Sequence, residues 1–189
     1  VLTSIAWACY SMSNNYLISP NPDDARLTKR VEGIDHEGHS IKMSVPVERP
    51  LTLFLNGQEI VTMMTIGDYP EYLAVGYLLN QNMLHDDDSI TAIDYDADIE
   101  CVVVRTAMKT TFEEKVKKKT LTSGCAQGTV FGDVMEKFED IVLSGDHIIR
   151  TSWLASLVKE INTTPSLYLK AGAIHGCVLA REDCPLLYM

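Results

Sequence analysis

The sequence predicts an α/β domain, and three observations carry that reading. Strand-like alternation runs from Ile41 to Thr65 and returns between Ile90 and Arg105. Helical apolar periodicity occupies 68–79 and recurs at 133–142 and 148–161. The 189 residues are enough to bury a sizeable core, and a hydrophobic content of 46% with 22% charged residues is ordinary for a soluble globular protein. The order of strands and helices is compatible with a layered domain, although periodicity alone does not choose its topology.

Residues 1–40 read as an extended or partly disordered lead-in, because 11–40 is rich in Asn, Ser, Pro, Asp and Gly and shows no sustained period. His36 and His39 fall in its Asp35-His-Glu-Gly-His39; without a convergent third ligand they read as solvated rather than as a metal site. From there Ile41, Met43, Val45 and Val47 alternate with polar residues. Leu51–Leu55 then leads into Asn56-Gly57, which suits the positive φ angles of a type I′ hairpin turn. Ile60–Thr65 is the return strand, with Met63 and Met64 as core filler.

Asp68 is placed to cap the helix that follows, Pro70 suits its first turn, and Leu73, Ala74, Tyr77 and Leu78 give it an apolar face. Gly76 reads as a point of close packing against the sheet. Ile90–Tyr95 and Ile99–Arg105 are two further strands. Cys101-Val-Val-Val104 reads as interior, with Cys101 buried and inert. Val134, Phe138, Ile141 and Val142, then Trp153, Leu154, Leu157, Val158 and Ile161, form the stripes of two later helices, and Pro165 stops the second. Ser166–Ala180 reads as strand-like, interrupted at Gly172 and Gly176.

The net charge of -10 argues against general nucleic-acid binding, which needs a basic footprint. No apolar run reaches the roughly 20 residues that cross a bilayer. The N-terminus lacks the basic and long apolar regions of a signal peptide. Five cysteines, odd in number and irregularly spaced, do not form a disulfide framework, so a reducing cytoplasm is expected.

One stretch carries chemistry: Thr120-Leu-Thr-Ser-Gly-Cys-Ala-Gln-Gly-Thr-Val-Phe-Gly-Asp133. Gly124 and Gly128 flank Cys125 and permit positive φ or close approach of another molecule, and Thr122, Ser123 and Thr129 supply hydroxyls. Upstream, Lys115, Lys117, Lys118 and Lys119 make an electropositive neighbourhood that favours thiolate over thiol if the fold brings them near. Cys125 is then a nucleophile. The competing reading is a small buried hydrophobe beside a solvated basic face. His175, between Gly172 and Gly176, is the second candidate, against the alternative of a satisfied structural histidine.

These residues resemble a known family. Glu48-Arg-Pro-Leu-Thr-Leu-Phe-Leu-Asn-Gly57, Met64-Thr-Ile-Gly-Asp68 and Glu71-Tyr-Leu-Ala-Val-Gly-Tyr-Leu-Leu79 resemble the N-terminal signature of the formate dehydrogenase accessory sulfurtransferases, the FdhD family. Thr122-Ser-Gly-Cys-Ala-Gln-Gly-Thr129 resembles its sulfur-carrying cysteine loop, and Lys170-Ala-Gly-Ala-Ile-His-Gly-Cys177 its Gly-Gly-x-His segment. The resemblance implies a layered α/β/α, cytidine deaminase-like mixed sheet with an N-terminal β-hairpin region and no bound metal, in a cytoplasmic homodimer. It also implies a sulfur carrier that takes persulfide sulfur from a cysteine desulfurase and passes it to the molybdenum or tungsten bis(pyranopterin guanine dinucleotide) cofactor of formate dehydrogenase.

On that resemblance Cys125 carries the sulfur and His175 hydrogen-bonds or carries a proton near the ligand. Lys117, Lys118 and Lys119 attract a phosphorylated ligand, and Gly124, Gly128 and Gly172 belong to the cofactor-binding loops. Two departures stand out. Many members have Cys-x-x-Cys in the loop, whereas Gly128 occupies the later position here. The family also continues with an Asp-Val-Gly-Arg-His-Asn type segment, whereas this chain runs Arg181-Glu-Asp-Cys-Pro-Leu-Leu-Tyr-Met189; residues 41–189 are therefore read as an accessory domain lacking its C-terminal part. Cys177 and Cys184 are read either as a secondary redox pair or as one buried and one exposed thiol. The rival functions are a non-catalytic cofactor-binding chaperone and a zinc-dependent nucleoside deaminase. A deaminase needs His-x-Glu and Pro-Cys-x-x-Cys, whereas here the residue two after His175 is Cys177 and no Pro-Cys-x-x-Cys occurs.

Overall fold

A computed structural model of the chain describes residues 18, 21–84, 88–107, 119–122, 128–131, 142, 145 and 147–189, with 119–122 and 128–131 described through their backbone alone. The chain divides between two units, residues 48–144 and residues 1–47 with 145–189.

In the second of these, β1 (Thr28–Ile34) and β2 (Ser40–Pro46) form an antiparallel hairpin from Thr28↔Pro46 to Ile34↔Ser40. The stretch read as a lead-in thus carries a strand. Its sequence concealed it because Lys29, Arg30 and Glu32 leave no apolar face, and the ladder to β2 supplies the order instead. The Asp35 side chain accepts the backbone N–H groups of Glu37 and His39 at 2.9 and 2.8 Å, while its carbonyl accepts that of Gly38. His39 Nδ1 lies 3.4 Å from the same carboxylate. The two histidines therefore belong to a hairpin turn, and among the described residues no group of three potential ligands could hold a metal.

The other unit is built on β3 (Arg49–Leu55), whose Leu51, Leu53 and Leu55 are all buried. Burying each such leucine contributes roughly 1.5–3 kcal/mol before entropic costs. β3 pairs with β4 (Gln58–Thr65) through Asn56-Gly57, as the sequence predicts. The turn is not type I′, however: Asn56 has φ 55°, but Gly57 is outside the left-handed region. Asn56 is held there by β6 (Cys101–Thr106), accepting the Thr106 N–H at 2.9 Å and donating to its hydroxyl at 3.1 Å. A bulge opposite Leu53/Phe54 lets both Ile60 and Val61 point inward. Met63 is then buried, and Met64, expected in the core, is exposed.

α1 (Pro70–Asn80) buries Pro70, Ala74 and Leu78. Its N-cap is Tyr69, left-handed at φ 46°, and not Asp68. Pro70 disfavours right-handed helix in the residue before it, so the helix cannot begin earlier. Leu73, expected on the apolar face, is exposed. β5 (Ile90–Asp96) and β6 complete a sheet of order β4-β3-β6-β5, with β3 and β6 parallel and both outer pairs antiparallel. β6 is interior, as read from its valines. The sheet is mixed and α1 packs on it, which meets the α/β expectation. A further antiparallel pair joins β7 (Lys119–Thr122) to β8 (Gly128–Phe131).

After residue 145 come α2 (Thr151–Thr163), α3 (Leu167–Ala171) and the hairpin of β9 (Val178–Arg181) with β10 (Cys184–Tyr188). The stripe expected on the second late helix is found on α2, but none of its residues is buried, and Leu154 and Val158 are exposed. The stripe expected at 133–142 lies outside the described residues apart from Val142. Leu167–Ala171 is helical rather than strand-like, because Ser166 caps it by accepting the Leu169 N–H at 3.4 Å. Among the described residues no helix is long and apolar enough to cross a membrane.

Gly76 is not a packing contact, since a Cβ there meets nothing within 4 Å. Gly76→Ala is accordingly expected to raise stability by about 0.5–1 kcal/mol, read from urea unfolding. A loss of stability would restore the close-packing reading.

The Asp35 carboxyl is held below its ordinary value, first by the His39 backbone N–H and further by those of Glu37 and Gly38. A depressed folded-state value means that this contribution is complete above the unfolded pKa and disappears as pH falls through the folded one. The Glu37 and His39 amide shifts should therefore titrate together in an NMR pH series with a midpoint below 3.8. A midpoint at or above that value contradicts the turn geometry.

Candidate functional site

The ladder of β7 with β8 runs Lys119↔Phe131, Thr120↔Val130, Leu121↔Thr129 and Thr122↔Gly128. Cys125, Gly124, Lys117 and Lys118 lie outside the described residues. The described backbone does establish that both ends of the cysteine segment are held, because Thr122 and Gly128 face each other at the ladder spacing of about 5 Å. Gly128, read as a loop residue, is instead the first residue of β8, and Lys119 is the first of β7. Only the five residues 123–127 join the two strands.

The segment Gly172–Cys177 is described throughout. Gly172 closes α3 by donating its N–H to the Tyr168 carbonyl at 2.9 Å, and it adopts φ 62°, ψ -169°, a region open essentially to glycine alone. Ala173 follows at φ 54°. A left-handed alanine costs roughly 1–2 kcal/mol, so this turn is strained. Cys177 is anchored by reciprocal backbone bonds with Met189, at 2.7 and 3.0 Å. A Cβ on Gly176 would lie 2.9 Å from the ring of the buried Tyr188. His175, between the strained turn and this anchor, is exposed and makes no side-chain hydrogen bond or ion pair among the described residues.

The described thiols differ. Cys101 is half-buried, and burial, with the Asp96 and Glu59 carboxylates, pushes its thiol up and keeps it protonated. That shift opposes thiolate formation, while the side chain is less enclosed than the buried position expected. Cys177 is free and exposed, whereas Cys184 is disulfide-bonded and half-buried, so the two neither form the redox pair considered nor stand as one buried and one exposed thiol. Gly172 lines a cleft with Arg30, Lys42, Ser44 and Lys170. The sequence reading had missed those four, because Arg30 lay in the supposed lead-in and the hairpin register alone aligns it with Ser44.

The two small residues flanking His175 should respond oppositely to exchange. Ala173→Gly is expected to stabilise by about 1 kcal/mol through relief of the left-handed strain. Gly176→Ala should destabilise by roughly 1–3 kcal/mol, because the Tyr188 ring must move. Thermal unfolding measures both, and equal signs would contradict this backbone geometry.

A search of solved structures aligns 85% of this chain with 59% of a protein of Desulfotalea psychrophila, assigned as a formate dehydrogenase accessory protein, at TM-score 0.58 and 15% sequence identity. That likeness is one of fold. Curated relatives include the sulfur carrier protein FdhD of Wolinella succinogenes, 26% identical over 140 residues, or 72% of this chain and 48% of the relative. The protein of the same name from Bacillus subtilis is 26% identical over 142 residues, covering 74% and 54%. That of Listeria monocytogenes serovar 1/2a is 23% identical over the same length and coverage. The chain thus spans about half the length of the curated relatives it matches. Residues 46–189 match the FdhD/NarQ family model, a span that contains both the paired strands around Cys125 and the His175 turn, and the chain therefore belongs to the FdhD/NarQ family.

Proposed function

We propose that this chain is a sulfur carrier serving formate dehydrogenase in the cytoplasm, with Cys125 as the carrying residue. The observation that supports this most directly is the pairing of Thr122 with Gly128, which presents a short cysteine-bearing connection from a fixed base. In the proposed reaction the Cys125 thiolate attacks the outer sulfur of a persulfide on a cysteine desulfurase. The donor's S–S bond breaks, its cysteine leaves as thiolate, and Cys125 holds the new S–S bond. The S–S bond at Cys125 then breaks, Cys125 leaves as thiolate, and the sulfane sulfur passes to the molybdenum bis(pyranopterin guanine dinucleotide) cofactor, the substrate of the transfer, whose reduced metal supplies the two electrons that convert it to sulfide.

Lys117, Lys118 and Lys119 favour the thiolate and the persulfide anion, and also attract the cofactor's phosphates. His175 contributes a hydrogen bond or a proton at the ligand, a role its exposure and lack of a partner permit. Gly124 adjoins Cys125 in the sequence, and Gly172 sets the turn that leads to His175. Gly128 stands where many relatives have a second cysteine, so an intraloop disulfide cannot expel the sulfur. Release is then direct to the acceptor. We further propose a homodimer and a cytidine deaminase-like arrangement, both of which rest on the family resemblance.

Incubation with a cysteine desulfurase and cysteine should add about 32 Da, removable by reductant, to the peptide containing Cys125. Cys125→Ala should abolish both this gain and support of formate dehydrogenase, while Cys177→Ser retains them. Sulfur found only on Cys177 would sink the proposal, as would full support by Cys125→Ala, the behaviour of a chaperone that merely holds cofactor.

A further inference from the structure

Ala173 is the strained residue of the segment that carries His175, and nothing local offsets the strain. Among the described residues the other non-glycine positions at positive φ are Asn56, Tyr69, Asn82, Glu100 and Glu182, and each has a reason in its surroundings. Asn56 and Glu100 are fixed by side-chain hydrogen bonds to neighbouring strands. Asn82 is of a type that visits this region routinely, and its N–H closes on the Leu79 carbonyl. Tyr69 is kept out of right-handed helix by Pro70. Glu182 opens the two-residue turn between β9 and β10, a position where hairpin geometry calls for positive φ. Ala173 has none of these.

Its conformation is imposed from the two ends of the segment instead. The backbone groups of Ala173, Ile174, His175 and Gly176 make no hydrogen bond among the described residues. On one side Gly172 closes α3 at φ 62°; on the other, the Cys177 N–H and carbonyl are both bound to Met189. Next to that clamp, the Gly176 backbone lies so close to the Tyr188 ring that no side chain fits between them. His175 therefore stands on a bridge tied at both ends and unbonded in between. With the ends held, the dihedral angles of Ala173 decide on which side of the bridge the imidazole emerges.

Backbone strain that no local bond calls for is found where a functional group has to be held in one direction. We infer that Ala173 is a positioning residue for His175, its left-handed conformation presenting the imidazole toward the ligand that receives sulfur; the inference rests on the role proposed above for His175. The methyl group makes the arrangement selective. Glycine here would have a wide range of φ open to it, so the bridge could relax between several forms. Alanine at positive φ is confined to the small left-handed well, which leaves one form compatible with both ends. Asparagine enters the same well more readily than alanine does.

Ala173→Gly and Ala173→Asn in the full chain separate positioning from mere tolerance of a turn. Both relieve strain, so neither should unfold at a lower temperature than the parent. NMR relaxation of the Ile174, His175 and Gly176 amides should show order lost in Ala173→Gly and kept in Ala173→Asn. Cys125 should take up sulfur equally in the parent and in both variants. Support of formate dehydrogenase should fall about three- to tenfold with glycine and stay within about twofold of the parent with asparagine. A more stable chain that works less well is not what a purely structural role predicts. A glycine variant as ordered as the parent overturns the inference, as does one that loses order and keeps full support. Failure of asparagine in the same way as glycine also overturns it, since the left-handed conformation is then not what matters. Sulfur uptake is read on the same samples, so its absence from the parent sinks the sulfur-carrier reading alone, and the amide order still decides whether Ala173 holds His175.

Discussion

The parallel pairing of β3 with β6 is the constraint on which the larger sheet depends. It places Leu53 beside Val102 and Leu55 beside Val104, and all four side chains are buried. Parallel neighbours cannot be joined by a tight turn, so the chain must leave one edge and return at the other. It does so through β4, α1 and β5. Three strand spacings amount to about 14 Å, and the 11 residues of α1 rise about 16 Å, enough to make the crossing. Ala74 and Leu78 then cover the face that the leucines and valines present.

The same pairing explains the tolerances around it. Pro50 is acceptable in an interior strand because β3 meets β6 only from Thr52 onward. Glu100 sits at φ 51° just before β6 begins, and its carboxylate accepts from Arg49 and from the Tyr95 hydroxyl, both at 3.1 Å. Its carbonyl accepts the Thr52 N–H at 2.9 Å, the first bond between the two central strands. An uncommon backbone conformation is therefore retained where two neighbouring strands, β3 and β5, hold it through three bonds.

Much of this was legible in the sequence. Leu51, Leu53 and Leu55 announce a half-buried strand by their period, Asn56-Gly57 announces its turn, and the valines of β6 announce an interior position. What escaped was set by geometry rather than by pattern. β1 has no apolar face to advertise it, and α3 is initiated by a serine cap that hydropathy does not register. One bulge decides that Met63 is inside and Met64 outside. Of the candidate site, the residue types and order around Cys125 and His175 were readable. The pairing of the strands that bracket Cys125 was not, since Lys119–Thr122 and Gly128–Phe131 are four residues each and polar in part.

That bracketing limits travel. Cys125 is three residues from each of two facing strand ends, so its Cα can stand no farther than about 10 Å from either. A cargo atom carried on so short a leash cannot be ferried between two docked proteins at separate places on the surface. On the sulfur-carrier reading, donor and acceptor must then use the same berth and visit it in turn, each excluding the other.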